Sequence, residues 1–200
     1  MATIADVYII ESLHPEDEGN GRFEGVFLSH LLRLHGKNPQ YRYVRTRGEF
    51  ETAVRKFGAS NYRYLHLSAH GDKNGICTTN QDDIDHEELG ELLRPHMKGR
   101  RLFISSCKVV GTSLAKEVIA PELGTSLVGP TEAINFHAAA LVWATIYHLV
   151  FSEDTQVMKR STLLDNIRKA CDLFKVQFAY FAKTSKNQRG FSQNLLTSGR

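Results

Sequence analysis

The chain has 200 residues, of which 42% are hydrophobic and 24% are charged. These shares are typical of soluble globular domains and exclude wholesale disorder and fibrous or collagen-like structure. The formal net charge is +3, from 25 basic and 22 acidic side chains. So even a balance gives no sign of a nucleic-acid-binding surface, and we expect no direct nucleic-acid partner.

The length predicts one domain, which we assign to residues 1–182. Residues 183–200 carry four basic and no acidic side chains, which is +4, so the first 182 residues sum to −1. We predict a solvated basic tail there.

The sequence gives no sign of export or membrane insertion. Asp6 lies where a signal peptide would be uncharged, and the longest apolar stretch, 138–151, is shorter than the ~20 residues that span a bilayer. Cys77, Cys107 and Cys171 cannot all pair. We therefore expect a cytoplasmic protein with reduced thiols and no membrane contact.

The first half of the chain alternates between strand and helix patterns. Apolar and β-branched runs predict strands at 4–11, 41–45 and 62–69. Apolar residues at helical spacing predict helices at 23–34, 50–57 and 84–93. The acidic cluster at 82–88 precedes the third helix, so we interpret it as helix caps and solvated charge.

The alternation continues to the end of the chain. Strands are predicted at 101–106 and 126–128, and helices at 113–119, 133–150 and 162–181. This order predicts right-handed crossovers and a mostly parallel sheet covered by helices on both faces. The fold class is thus an α/β, three-layer αβα sandwich.

Two residues with reactive side chains end neighbouring predicted strands. "YRYLHLSA" runs into His70, and "RLFISS" runs into Cys107, 37 positions later. That separation is about one βαβ unit, so the two side chains would emerge side by side at the carboxyl edge of the sheet, where α/β proteins place functional groups. The pattern predicts a cysteine-histidine dyad.

The dyad has a chemical rationale. A thiol with a free pKa of ~8.5 is mostly protonated at neutral pH, and a neighbouring imidazole can accept its proton. Gly71 lacks a Cβ, so it lets substrate approach and leaves an N–H free for a developing oxyanion. The positive end of the helix predicted after Cys107, together with Lys108, would favour the thiolate.

A metal site built from His66, His70, Cys77 and Cys107 is the competing interpretation of these residues. Four strand positions separate His66 from His70 by ~13 Å, which is too far for two ligands of one zinc ion. We therefore interpret His66 as core, as we do Cys171, and we expect no metal. Cys77 lies in a loop that could approach the dyad.

The segments "YLHLSAHG" and "LFISSC" resemble the caspase-like cysteine peptidases of clan CD, and most of all the CHAT group. The resemblance extends over residues 62–150, including "SLVGPTEAINFHAAALVWATIYHLV". It implies a caspase-like fold with flavodoxin-like strand order. It also implies peptide-bond hydrolysis without a cofactor, with His70 as general base and acid, Cys107 as nucleophile, and the Gly71 and Cys107 N–H groups as oxyanion hole.

The sequence departs from the family patterns around the nucleophile. Val109 lies where the caspase motif has glycine, and Ser105 lies where metacaspases carry an acid that holds a basic substrate residue. Neither specificity pocket is therefore carried over. Glu132, after the fifth predicted strand, is the candidate substrate-binding acid. It could equally be a first-turn carboxylate of the following helix.

These observations predict a cysteine endopeptidase that acts on a protein substrate. Because the catalytic fold uses nearly the whole chain, we expect control by a regulatory or sensor protein. The resemblance implies a setting of bacterial (antiviral) defence or programmed cell death. Two alternatives stay open: a catalytically silent caspase-like scaffold, and a flavodoxin-like or acyl-transfer enzyme with a small-molecule pocket.

Overall fold

The computed structural model describes residues 3–119, 126–156 and 158–197. The described strands are β1 (Ile4–Ser12), β2 (Gln40–Tyr43), β3 (Tyr62–Gly71), β4 (Gly75–Cys77), β5 (Asp83–Asp85), β6 (Arg101–Ser105), β7 (Ser126–Pro130), β8 (Phe178–Lys183) and β9 (Phe191–Leu196). The described α-helices are α1 (Pro15–Gly19), α2 (Glu24–Leu34), α3 (Arg47–Ala59), α4 (His86–Leu93), α5 (Thr112–Val118), α6 (Phe136–Glu153) and α7 (Arg160–Phe174).

The main sheet has the strand order β2-β1-β3-β6-β7-β8-β9. The pairs from β2 to β7 are parallel, and β7-β8 and β8-β9 are antiparallel. Its five parallel strands follow the 2-1-3-4-5 order of flavodoxin-like folds. The predicted fold class, a mostly parallel sheet of this order, is confirmed.

Helices cover both faces of the sheet and create two hydrophobic clusters. One cluster joins α3, α4 and α5 to sheet residues such as Ile10 and Leu67. The other joins α2, α6 and α7 to the opposite face, with Trp143 and Tyr147 of α6 fully buried. Because side chains alternate along a strand, β1, β3, β6 and β7 each supply both clusters, which produces three layers.

Local sequence signals fix several helix starts. Thr46 and Glu49 form a capping box at the start of α3, and Asp85 and Glu88 form another at α4. In each box two backbone N–H groups that lack helical partners are satisfied by side chains. The interpretation of the 82–88 acids as caps is confirmed for Asp85 and Glu88.

The C-terminal part differs from the prediction. The helix predicted to run to residue 181 ends at Phe174, and Lys175 adopts a left-handed conformation (φ 55°). Strand β8 follows and is buried on both sides, so its apolar run has no period-2 signal that would distinguish it from a helix. The predicted basic tail contains β9, which pairs with β8 and buries Phe191 and Leu196. Residues 198–200 lie outside the described part.

Two short features near the carboxyl edge were not predicted. Strands β4 and β5 form an antiparallel arm on the end of β3, and α1 lies in the loop after β1. Three-residue strands and a five-residue helix are too short for a periodic signal. No described helix has the length and apolarity needed to cross a bilayer.

Candidate active site

His70 lies at the carboxyl end of β3, and Cys107 comes just after β6, the parallel strand beside it. Ser68 of β3 pairs in register with Ser105 of β6. His70 and Cys107 each come two positions later, so they lie at the same level of the sheet edge. Both line one cavity of about 260 Å³. The structure therefore brings together the histidine and the cysteine that the sequence singled out.

His70 is held by an acidic side chain from α1. Its Nε2 atom lies 2.6 Å from Asp17 Oδ2, and Arg22 Nη1 donates to Asp17 Oδ1 at 2.7 Å. Burial acts to raise the pKa of Asp17, but the hydrogen bonds from Arg22 and His70 outweigh it, so the pKa lies below its usual value. Asp17 is therefore ionised at neutral pH.

Cys107 contacts the loop before α6. The backbone N–H of Ile134 donates to the Cys107 sulfur at 3.5 Å, and the Ile134 carbonyl oxygen lies 3.6 Å from the same sulfur. Within the described residues the sulfur has Ile134, and not His70, as its hydrogen-bond partner. The thiol is thus docked on a loop that forms part of the cavity wall.

The cavity has an acidic side chain in its wall. Glu24 Oε2 accepts hydrogen bonds from the hydroxyls of Ser68 (2.8 Å) and Ser105 (2.9 Å). Its other carboxylate oxygen has no hydrogen-bond partner, although His66 Nε2 lies 3.7 Å away. Glu24 is buried and lines the same cavity as His70 and Cys107. A buried carboxyl group is therefore anchored to the two serines that lie two positions before His70 and Cys107.

His66 itself is a core residue, as predicted. It is fully buried, its Nδ1 lies 2.9 Å from the Tyr147 hydroxyl, and its ring packs edge-on against Trp143. Cys171 is also fully buried. Burial raises the pKa of its thiol to about 12, so this cysteine is unreactive at neutral pH.

Gly71 is required by packing. A Cβ at this position would lie 2.5 Å from the Gly75 carbonyl oxygen, 2.5 Å from Ser106 Oγ and 2.6 Å from a Val109 methyl group. The close approach of β4 therefore explains the glycine independently of any substrate. Cys77 of β4 pairs in register with His70, so the expectation that this cysteine approaches the site is confirmed.

The remaining predicted residues lie outside the cavity wall. Glu132 is exposed in the loop between β7 and α6, three positions before Asn135, which does line the cavity. Lys108 is exposed and has a left-handed backbone conformation (φ 58°). The positive φ makes the chain turn sharply just after the candidate nucleophile.

Sequence reasoning missed Asp17, Arg22 and Glu24. All three come from the loop and helix start that follow β1, at the same carboxyl edge as His70 and Cys107. The rule that functional groups gather at this edge applies to the segment after β1 as well. Its acidic run "PEDEG" was the available signal.

Three solved structures share this architecture at low sequence identity. A secreted C11 cysteine protease from Bacteroides thetaiotaomicron, in complex with an irreversible peptide inhibitor, is 8% identical with a TM-score of 0.58, over 89% of this chain and 66% of that one. An inactive zymogen C11 protease from Parabacteroides distasonis is 11% identical (TM-score 0.55; 91% and 63%). Caspase-1 from Spodoptera frugiperda is 13% identical (TM-score 0.58; 98% and 86%). The fold is caspase-like.

The comparisons show the fold and do not identify the reaction. The chain spans less than two thirds of the length of the two C11 proteases. No family model and no curated protein matches the sequence. Because one caspase-like fold can carry active and silent proteins, function has to be argued from the residues of the cavity.

Proposed function

We propose that the protein is a cysteine endopeptidase that uses Cys107 as nucleophile and His70 as general base and acid. One observation carries this proposal: the two residues end adjacent parallel strands and line one cavity. The caspase-like fold of the C11 and caspase structures supports it. Kinship with the CHAT group in particular is part of the proposal and rests on the sequence patterns around the dyad.

The proposed reaction has two halves. His70 takes the proton of the Cys107 thiol, the thiolate attacks the peptide carbonyl carbon, and the C–N bond breaks as His70 gives the proton to the leaving amine. Water then gives a proton to His70 and attacks the thioester, which releases the carboxylic acid product and returns the proton to Cys107. The N–H groups of Gly71 and Cys107 are proposed to bind the oxyanion in both halves.

The cavity suggests which substrate side chain it accepts. Glu24 Oε2 is hydrogen-bonded to Ser68 and Ser105, which lie two strand positions before His70 and Cys107, and its Oε1 is buried without a hydrogen-bond partner. A basic side chain next to the scissile bond would supply that partner. Glu132, on the exposed loop that also carries Ile134, is proposed as a contact at the rim.

Control by a second protein fits the resting position of the thiol. Cys107 is hydrogen-bonded to the Ile134 backbone, so the loop before α6 has to release it before His70 can take its proton. We propose that a protein substrate, or a regulatory or sensor chain bound near this loop, causes that release. A cytoplasmic setting in antiviral defence is the context we propose.

Thiol labelling tests the dyad. The purified protein would be treated with an iodoacetamide-type probe across pH, and adducts located by mass spectrometry in wild type, His70→Ala and Cys107→Ala. Cys171 and Cys77 are internal references, because burial raises the pKa of both thiols. We expect fast labelling confined to Cys107 and weakened in His70→Ala. Slow labelling of all three cysteines, indifferent to His70, favours the silent scaffold.

Peptide probes test the specificity. Acyloxymethyl-ketone peptides with Arg, Lys, Asp or Leu next to the reactive group would be compared on wild type, Glu24→Gln and Glu132→Gln. We expect the basic probes to label fastest and to lose that preference in Glu24→Gln. Glu132→Gln tests the proposed rim contact separately, and Glu16→Gln, at an exposed acid of α1 outside the cavity wall, is the matched control. Equal preferences in wild type and Glu24→Gln would exclude Glu24 from substrate recognition.

A further inference from the structure

Asp17 occupies a distinctive place beside the proposed general base. It lies on α1, in the segment that follows β1, and reaches across to His70 at the end of β3. The Asp17 side chain is 12% exposed, whereas that of His70 is 46% exposed. Arg22 binds the second carboxylate oxygen and fixes its orientation.

The contact determines which ring nitrogen carries the proton. An ionised carboxylate only accepts hydrogen bonds, so the 2.6 Å distance to Nε2 requires a proton on that nitrogen. In a neutral imidazole the other nitrogen, Nδ1, then has the free lone pair. Asp17 thus selects the Nε2–H tautomer of His70.

We propose that Asp17 is a positioning residue for catalysis: it holds His70 in the Nε2–H tautomer, so that Nδ1 takes the Cys107 proton, and it stabilises the imidazolium that results. This inference rests on the proposed function and extends the dyad to a third member. One proton is transferred in this step: it moves from the Cys107 sulfur to Nδ1 of His70, while Nε2 keeps its own proton and Asp17 stays ionised.

Other groups near His70 do not take this role. The ring of His14 lies edge-on at 5.8 Å between ring centroids, Cys77 pairs with His70 across β3 and β4, and Glu24 lines the cavity beside it. Among the described residues, Asp17 is the one whose side chain hydrogen-bonds to the imidazole. Arg22 keeps the Asp17 pKa low, so the carboxylate remains an acceptor throughout the neutral range.

A purely structural role for Asp17 is the competing explanation, since the contact also ties α1 to β3. The two roles differ in what they change. A purely structural contact between α1 and β3 affects thermal stability alone. A positioning residue also sets the His70 tautomer and the pH dependence of Cys107 reactivity. The test therefore measures all three on the full chain.

The test compares wild type, Asp17→Asn, the matched control Glu16→Gln and His70→Ala. Glu16 is an exposed acid of the same helix, so Glu16→Gln removes one charge without touching His70. Two-dimensional ¹H–¹⁵N spectra of the imidazole nitrogens report the tautomer, with the His70 signals assigned by their absence in His70→Ala. Iodoacetamide labelling of Cys107 from pH 5 to 9 gives the rate profile, and circular dichroism gives Tm.

We expect the wild type to carry its proton on Nε2. Asp17→Asn should lose that preference and slow Cys107 labelling at pH 7 by about tenfold. This is less than the roughly 10²- to 10⁴-fold that a positioned proton-transfer group contributes, because His70 itself remains. The labelling profile should also move to higher pH. Glu16→Gln should behave as wild type.

The outcomes separate the two proposals. A wild-type proton on Nδ1, or His70-dependent labelling that Asp17→Asn leaves unchanged, would overturn the role of Asp17 alone. If Cys107 is labelled equally fast in wild type and His70→Ala, the proposed function is overturned. The proposed role of Asp17 then fails as well, because His70 would not be the base. The wild-type tautomer is measured without a variant, so the inference stays testable even if Asp17→Asn folds poorly.

Discussion

Glu11 is a carboxylate buried on β1, and its replacement by glutamine should change how stability depends on pH. The side chain is fully buried and accepts hydrogen bonds from the Gly25 N–H (2.8 Å) and the Tyr41 hydroxyl (2.7 Å). Burial is the main cause that raises its pKa from 4.5 to about 7, and the charge of Glu24 adds to it. The two hydrogen bonds oppose the rise without cancelling it.

The size of the effect follows from linkage. A raised carboxyl pKa means that the folded protein holds the proton more tightly than the unfolded chain, so the stability is fully present below pH 4.5 and is lost as pH rises through 7. The difference between 7 and 4.5, at about 1.4 kcal/mol per pH unit, gives a loss of about 3 kcal/mol. Glu11→Gln removes the titrating group, so it should not show this loss.

The assay is urea unfolding of both proteins at several values between pH 4.5 and pH 8, followed by fluorescence of Trp143, the single tryptophan, which is fully buried. Burial lowers the pKa of His35, His86 and His96, which makes stability rise with pH, but this is common to both proteins. Between pH 4.5 and pH 8 the unfolding free energy of the wild type should therefore fall by about 3 kcal/mol relative to that of Glu11→Gln. A difference constant within ~1 kcal/mol would refute the reasoning.

Three further changes have expected outcomes that thermal or urea unfolding can check. Gly71→Ala places a Cβ 2.5 Å from the Gly75 carbonyl, so it should destabilise by about 1–3 kcal/mol, and Gly111→Ala, with open space at its Cβ, is its control. Thr46→Ala removes the capping box of α3 and should lose ~1 kcal/mol, whereas an unchanged midpoint would exclude the cap. Lys108→Gly relieves a left-handed backbone and should raise the unfolding midpoint; a lower midpoint would contradict this.

The main architecture was predictable because the parallel part of the sheet has strong periodic signals. Strands such as 62–69 are long and apolar, and helices such as 50–57 repeat apolar residues on one face. The hairpin of β8 and β9 was not predictable in the same way. The first of these strands is apolar on both faces, and the second lies in a stretch whose lysines and arginines suggested a tail.

The site was predictable where it depends on strand ends and not where it depends on loops. Strand register and crossover length place His70 beside Cys107 without knowledge of any other contact. Asp17 reaches His70 only because the chain after β1 forms a short helix and turns back, and no periodicity encodes that turn. Tertiary packing therefore decides the third member of the site.

Glu24 is an intermediate case. The sequence indicates that the serines of β3 and β6 need a hydrogen-bond acceptor, but it does not indicate that Glu24 is that acceptor. His66, Ser68 and His70 alternate along β3 and so share one face, and Ser105 is paired with Ser68 on β6. Two serines buried in an apolar parallel sheet need acceptors, because unpaired hydroxyls there are costly. The pattern thus demands a polar group between helix and sheet below the dyad. Only the structure reveals that this group is the first residue of α2, and that it leaves one carboxylate oxygen unbonded in the wall of the cavity.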